Sequence, residues 1–147
     1  MPTTNTPNSD TTTPNSDTTT PIATDNAPRA IGPYAQGRIG GGLVYVSGQL
    51  GFDPASGDFV GGDFASQARQ ALENMKAVLD AAGCRLSDVI AVDVFLIDMG
   101  NFVEFNRIYQ AFFGEHKPAR AVVAVHALPK NGRVEVKCVA VQPSGAK

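Results

Sequence analysis

Two charged side chains lie within apolar segments near the end of the chain, and each is of a type suited to chemistry. Arg120 starts an otherwise apolar segment, 121–127, and Glu135 lies in the segment 134–141. A guanidinium in apolar surroundings needs an anionic partner, because an unpaired buried charge is very costly. Arg120 is therefore either half of a structural ion pair or a bidentate clamp for a ligand carboxylate, which the planar fork of arginine fits.

Glu135 also has two interpretations. Strand alternation places it on one face with Lys137, which is typical of a solvated face of alternating charge. Alternatively, its carboxylate is a hydrogen-bond acceptor that orients a water molecule. If the last two strands form a hairpin around residues 129–131, Glu135 and Arg120 are out of register by roughly four residues, or about 13 Å. That register favours cooperation of the two residues across a subunit interface over cooperation within one chain.

Three weaker candidates for a binding site lie elsewhere in the chain. Tyr34 follows a Gly-Pro turn, so its phenol is either a packing group or a pocket group. Gly48 ends a predicted strand and either permits close approach of a ligand to the backbone or serves a turn. Asn106 lies in the middle of a predicted helix and is either exposed or part of a pocket. The histidines and cysteines form no recognisable zinc or redox motif, so the sequence predicts no metal and no cofactor.

Composition limits the class of protein. The 147 residues are 43% hydrophobic and 18% charged, with a net charge of −2, which is typical of a single globular domain. The acidic balance argues against a nucleic-acid-binding surface, and no apolar run reaches the length of about 18 residues that predicts a membrane span. The start of the chain has neither a basic nor an apolar export region, which predicts a cytoplasmic protein.

The sequence divides into a tail and a domain. Residues 1–26 are rich in Thr, Pro, Asn, Ser and Asp, contain a short repeat, and offer little apolar surface to offset the entropy of ordering. We therefore predict a disordered tail over 1–26 and a folded domain over 27–147.

Periodicity in the domain predicts the order β-β-α-β-α-β-β, an α+β layer. Asp63 is a predicted N-cap of a helix of about 19 residues, and Asn101 with Glu104 resembles a capping box for a second helix. Two helices cover only one face of a sheet, and the strand over 89–97 reads as buried on both faces. The second face is therefore expected to be apolar and covered by another copy of the chain. The predicted strands are 36–39, 43–47, 89–97, 121–127 and 134–141.

Several short motifs occur in the order found in one known family. The most specific is Pro118-Ala119-Arg120-Ala121, which is followed by Ala127-Leu128-Pro129-Lys130 and Val134-Glu135-Val136. Together with Ile31-Gly32-Pro33-Tyr34, Val46-Ser47-Gly48-Gln49 and Phe105-Asn106-Arg107-Ile108-Tyr109, they resemble segments of the Rid family of reactive intermediate deaminases (YjgF/YER057c/UK114). The resemblance covers nearly all of residues 22–142.

The resemblance implies a chorismate-mutase-like α+β fold and a homotrimer with its sites at subunit interfaces. It also implies hydrolysis of reactive 2-imino acids and their enamine tautomers, such as 2-aminoacrylate, to 2-oxo acids and ammonia, with no cofactor. By the same resemblance, Arg120 binds the substrate carboxylate and Glu135 positions water. The other implied pocket residues are Tyr34, Gly48, Asn106 and Ala121, the last through its backbone.

Two other classes of function remain open at this point. A non-enzymatic metabolite-binding or stress-response protein is expected to use the same interface pocket, and the same arginine, for 2-oxo acids. A nucleic-acid-binding or nucleic-acid-cleaving protein is the third class, and the acidic balance of the chain argues against it.

Overall fold

The structure is a computed structural model that describes residues 18–143. It contains one six-stranded mixed sheet with two helices packed on one face, so the predicted α+β architecture is confirmed. The strands follow the spatial order β1-β2-β3-β6-β4-β5. The elements are β1 Thr20–Ile22, β2 Gly37–Gly40, β3 Leu43–Gln49, α1 Phe64–Ala81, β4 Val89–Leu96, α2 Phe102–Phe113, β5 Ala119–Ala124 and β6 Val134–Val141.

Helix α1 forms as the sequence predicts. The Asp63 carboxylate accepts a hydrogen bond from the Ser66 backbone N–H at 3.0 Å and so caps the first turn. Gly83 follows the helix with φ of 79°, a left-handed conformation that glycine adopts without strain. The apolar stripe between these ends is dry, because Leu72 and Met75 are fully buried against the sheet.

Helix α2 begins differently from the prediction. The Asn101 side chain makes no capping hydrogen bond, so the expected capping box is wrong. The Asp98 carboxylate instead accepts from the Gly100 N–H at 2.8 Å and starts a 3₁₀ turn, Met99–Asn101, that runs into α2. Asn101 therefore already has a nearly helical backbone (φ −89°, ψ 5°) rather than the extended one that an N-cap side chain needs.

The last two strands do not form a hairpin, which corrects the register assumed from the sequence. Strand β5 pairs in parallel with β4, and β6 lies between β3 and β4, antiparallel to both. Helix α2 connects β4 to β5, and a crossover through a helix returns the chain to a parallel neighbour. The central place goes to β6 because its alternate residues are fully or almost fully buried, whereas β5 is mostly exposed and lies at the edge of the sheet.

The two faces of the sheet differ in character. The helix-covered face is dry, and it includes Val92, Val94 and Leu96 of β4. The other face, here called the open face, is only partly apolar, and a Lys137–Asp93 ion pair of 3.5 Å lies on it. Strand β4 is therefore buried on one face only within a single chain, not on both as expected. The exposed apolar residues of the open face include Tyr45, Val123 and Val141.

The ordered domain begins before residue 27, which corrects the predicted boundary of the tail. Strand β1 pairs with β2, and the buried Gln36 amide ties the next segment down. Its Nε2 donates to the carbonyl oxygens of Thr24 and Pro28 at 3.0 and 2.8 Å, while its Oε1 accepts from the Thr24 N–H at 2.7 Å. The rest of the predicted tail, residues 1–17, lies outside the described residues.

Within residues 18–143, neither helix combines the length and the apolar character that crossing a bilayer requires.

Replacing Gln36 with leucine tests this anchor. Gln36→Leu keeps the volume but leaves buried carbonyl oxygens without donors, so we expect a loss of about 3 kcal/mol in the free energy of unfolding. Urea denaturation measures it, and Gln110→Leu, at an exposed position of α2, is the matched control. Equal stability of the two variants contradicts the assigned role.

Candidate active site

Arg120 is the second residue of β5 and is exposed at the edge of the sheet. It pairs with Val92, whose side chain points to the helix-covered face, so Arg120 lies on that face as well. Its Cζ atom is 4.8 Å from the centre of the Tyr109 ring and 5.8 Å from the centre of the Phe102 ring. Among residues 18–143, no carboxylate oxygen lies within 4.0 Å of the guanidinium. The structural ion pair, one interpretation of this residue, is thus not formed there.

One face of α2 forms the wall against which Arg120 lies. Phe102, Asn106 and Tyr109 follow one another at intervals of four and three residues, so they share that face. The groove between this wall and residues 116–118 has a volume of about 480 Å³, and both Arg120 and Asn106 line it. The structure therefore brings together these two residues of the predicted site.

Two polar atoms of the groove are buried without a hydrogen-bond partner within the described part of the chain. They are Oδ1 of Asn106 and the hydroxyl oxygen of Tyr109. Burial raises the pKa of Tyr109 to about 12, although the nearby positive charge of Arg120 acts in the opposite direction. The phenol is therefore neutral at every physiological pH. An arginine, an unpaired amide and apolar ring surfaces suit a small ligand that carries a carboxylate.

Glu135 and Gly48 form a second cluster, on the open face. Glu135 pairs with Phe95, and its half-buried carboxylate lies directly over the backbone of Gly48. A Cβ atom added at Gly48 overlaps Oε2 of Glu135 and lies 2.8 Å from its Cδ, so a larger residue at this position displaces the Glu135 carboxylate. Burial raises the pKa of the Glu135 carboxyl, and the positive charge of Lys137 on the same face opposes the shift.

The two clusters are separated by the sheet itself. Arg120 and Asn106 lie on the helix-covered face, whereas Gly48 and Glu135 lie on the open face. Arg120 and Glu135 were expected to be poorly placed for cooperation within one chain because of a hairpin register. That register is wrong, but opposite faces keep the two side chains apart.

The remaining predicted residues belong to neither cluster within one chain. Tyr34 is 53% exposed in the loop before β2. Ala121 pairs with Asp93, so its side chain points to the open face, and its backbone runs along the free edge of the sheet. Tyr109 was not predicted as a site residue, because an aromatic residue in an amphipathic helix is equally typical of a core. Its three-residue spacing from Asn106 was the available signal.

The chain resembles a large set of known proteins. The family model described as Endoribonuclease L-PSP matches residues 24–142. A curated protein of Bos taurus named 2-iminobutanoate/2-iminopropanoate deaminase is 48% identical over 120 residues, which cover 82% of this chain and 88% of that protein.

Solved structures agree with this likeness. A crystal structure of a putative endoribonuclease L-PSP from Entamoeba histolytica matches with a TM-score of 0.83 and 44% identity, covering 84% of this chain and 99% of that one. The crystal structure of Escherichia coli TdcF with bound serine matches with a TM-score of 0.81 and 41% identity, covering 84% of this chain and 99% of that chain.

Substituting Gly48 tests the contact with Glu135. In Gly48→Ala the new methyl group occupies the place of the carboxylate, so Glu135 must turn toward solvent. We expect the pKa of Glu135, followed by carbon NMR of the side-chain carboxyl, to fall back toward its ordinary value of 4.5. Gly62→Ala is the control, because nothing lies within 4 Å of a Cβ there. An unchanged titration of Glu135 in Gly48→Ala contradicts the close contact.

Proposed function

We propose that this chain, which belongs to the Endoribonuclease L-PSP (YjgF/RidA, or Rid) family, hydrolyses reactive 2-imino acids and their enamine tautomers to 2-oxo acids and ammonia. The single observation that carries the proposal is Arg120, a guanidinium without a carboxylate partner in the described part of the chain, at the edge of a groove sized for a small molecule. The curated Bos taurus relative is named for this reaction.

The reaction needs little from the protein beyond placement. Water adds to the C=N carbon, the resulting carbinolamine expels ammonia, and a C=O bond remains, so one imine and one water give one 2-oxo acid and one ammonia. The imine carbon is already electrophilic because it is conjugated to the carboxylate. Holding substrate and water in line, with fixed charges nearby, is the contribution that lowers the barrier.

Arg120 binds the substrate carboxylate through two parallel N–H donors. This places the imine carbon beside the edge of β5, where the backbone carbonyls near Arg120 and Ala121 accept hydrogen bonds from the water or the leaving nitrogen. The E. coli TdcF structure was solved with serine, a ligand that also carries a carboxylate. Tyr34 and Asn106 complete the walls of the pocket.

Glu135 positions the attacking water, and it acts from a neighbouring subunit of a homotrimer. The support is the sheet, which keeps Glu135 and Arg120 of one chain on opposite faces. The open face carries exposed apolar side chains such as Tyr45 and Val123, which a second copy of the chain covers. A raised pKa suits the role, because a carboxylate that is more basic than usual accepts a proton from water more readily.

Two other functions fit the site less well. Two solved relatives carry the description of a putative endoribonuclease, but a chain with net charge −2, whose described groove is lined by Arg120 and one lysine, lacks the extended basic surface that RNA phosphates require. A metabolite-binding protein without turnover uses Arg120 equally well. Catalysis of imine hydrolysis above the rate in buffer separates an enzyme from a binding protein.

Removing the guanidinium tests the proposal directly. For Arg120→Ala we expect a loss of about 2–5 kcal/mol of interaction with the substrate, roughly 30-fold to several-thousand-fold in kcat/KM. Arg120→Lys recovers little, because an ammonium group lacks the planar fork. The assay generates imines in place with an amino-acid oxidase and follows the release of 2-oxo acid. A folded Arg120→Ala protein with near-wild-type activity removes the proposed role.

Mixing two impaired subunits tests the shared site, and we expect a smaller loss for Glu135→Gln alone than for Arg120→Ala alone. The Arg120→Ala and Glu135→Gln variants are mixed in equal amounts, unfolded together and refolded as random trimers. A complete site forms wherever an intact Arg120 meets an intact Glu135 from the neighbouring subunit. About a quarter of the sites are then complete. Each variant refolded alone is the control. Activity equal to the sum of the separate variants contradicts a site formed between subunits.

A further inference from the structure

The ring of Tyr109 and the guanidinium of Arg120 form the closest cation–aromatic pair among the described residues. Their separation of 4.8 Å is well within the range of attraction between a cation and an aromatic face. Phe102, two helical turns earlier on the same face of α2, lies at 5.8 Å and borders the same guanidinium. The arginine side chain is thus laid along one helix face.

We propose that the aromatic ring of Tyr109 is a positioning residue that fixes the Arg120 guanidinium for carboxylate binding, and that its hydroxyl group takes no part. The inference deepens the proposed function, on which it rests, by naming a residue that sets the affinity of the same site. It concerns the ring face alone.

Arg120 needs such a support because of its place in the fold. It lies in the edge strand, is exposed, and has no ion-pair partner within residues 18–143. A free arginine side chain samples many rotamers, and ordering it on binding costs free energy that weakens the complex. A ring that holds the guanidinium beforehand removes part of that cost and leaves the edge N–H groups free for a ligand.

The ring is itself held firmly. Tyr109 packs against Phe105 with ring centres 5.6 Å apart and against Phe113 with ring centres 4.8 Å apart. Phe105 is fully buried, so this side of the ring is fixed to the core while the other side is available to the arginine. The orientation of the guanidinium is therefore coupled to the packing of α2 on the sheet.

The hydroxyl group of Tyr109, unlike its ring, makes no contact that the proposal requires. It is buried and has no hydrogen-bond partner in the described part of the chain. Removing a buried hydroxyl that bonds to nothing costs little, because its desolvation penalty disappears with it. Phenylalanine therefore preserves everything that the proposal requires, and leucine removes the aromatic face while keeping an apolar side chain.

Two substitutions separate ring from hydroxyl. We expect Tyr109→Phe to keep KM within about twofold of the wild type, and Tyr109→Leu to raise KM about 3- to 30-fold with a much smaller change in kcat. The matched control is Phe112→Leu, which removes a half-buried aromatic ring from the same helix; that ring packs on Phe113. Rescue by phenylalanine but not by leucine is the signature of the ring face.

A second readout does not depend on turnover. Because the Arg120 Cζ atom lies over the Tyr109 ring at 4.8 Å, we expect the ring current to displace the Arg120 Nε–H proton shift upfield in the wild type and in Tyr109→Phe. We expect the shift to return to an ordinary value in Tyr109→Leu. The Kd for pyruvate, measured by calorimetry, follows the same order. If the wild type hydrolyses no imine, the proposed function fails, while the resonance and the pyruvate affinity still decide the inference.

Two results overturn the inference. Equal losses in Tyr109→Phe and Tyr109→Leu assign the effect to the hydroxyl group. An unchanged Nε–H shift and unchanged KM in folded Tyr109→Leu, with Arg120→Ala inactive, leave the proposed function intact and remove the ring from it.

Discussion

A guanidinium at the edge of a sheet must be held by something, and aromatic surface holds it in this chain. Within the described residues Arg120 has no carboxylate beside it, and the rings of Tyr109 and Phe102 border it instead. An acidic partner would neutralise the charge, whereas a ring face orients the cation and leaves its N–H donors available. This contact explains how the groove, the face of α2 and the edge strand together present one oriented cation to a ligand.

The sheet divides the chemistry of a single chain into two parts. The helix-covered face carries Arg120 at its exposed edge, and the open face carries Glu135 over Gly48. The side chains of one chain stay apart, because they project from opposite faces and β4 lies between their strands. The proposed trimer resolves this by bringing the open face of one copy to the edge of another. In such an assembly the site forms only when subunits associate. The fraction of complete sites therefore depends on protein concentration, whereas the folding of a monomer does not.

Much of the fold could be predicted from local patterns. Helix α1 and strand β6 follow from strong periodicity, and Asp63 and Gly83 mark the helix ends by their own backbone chemistry. The features that could not be predicted depend on contacts between segments far apart in the sequence. Whether β6 pairs with β5 or inserts beside β4 depends on contacts among distant segments, and the order of residues 20–28 depends on the amide of Gln36.

For the candidate site as well, local features could be predicted from the sequence and non-local ones could not. Arg120 and Glu135 stood out because charge in apolar segments is locally visible, whereas their separation by the sheet was not. The role proposed for Tyr109 could be inferred only once the position of Arg120 relative to α2 was known. Aromatic residues in an amphipathic helix indicate a core equally well.

The contact between Gly48 and Glu135 links the evolutionary fates of two residues that lie far apart in the sequence. While the glutamate keeps its present position, any side chain at position 48 must displace its carboxylate. Once the glutamate is replaced by a short side chain, that restriction disappears and the glycine is free to drift. Descendants that abandon the carboxylate would then be free to exchange the glycine, and restoring the acid alone would return it to a place already taken by another side chain, which makes the loss hard to reverse.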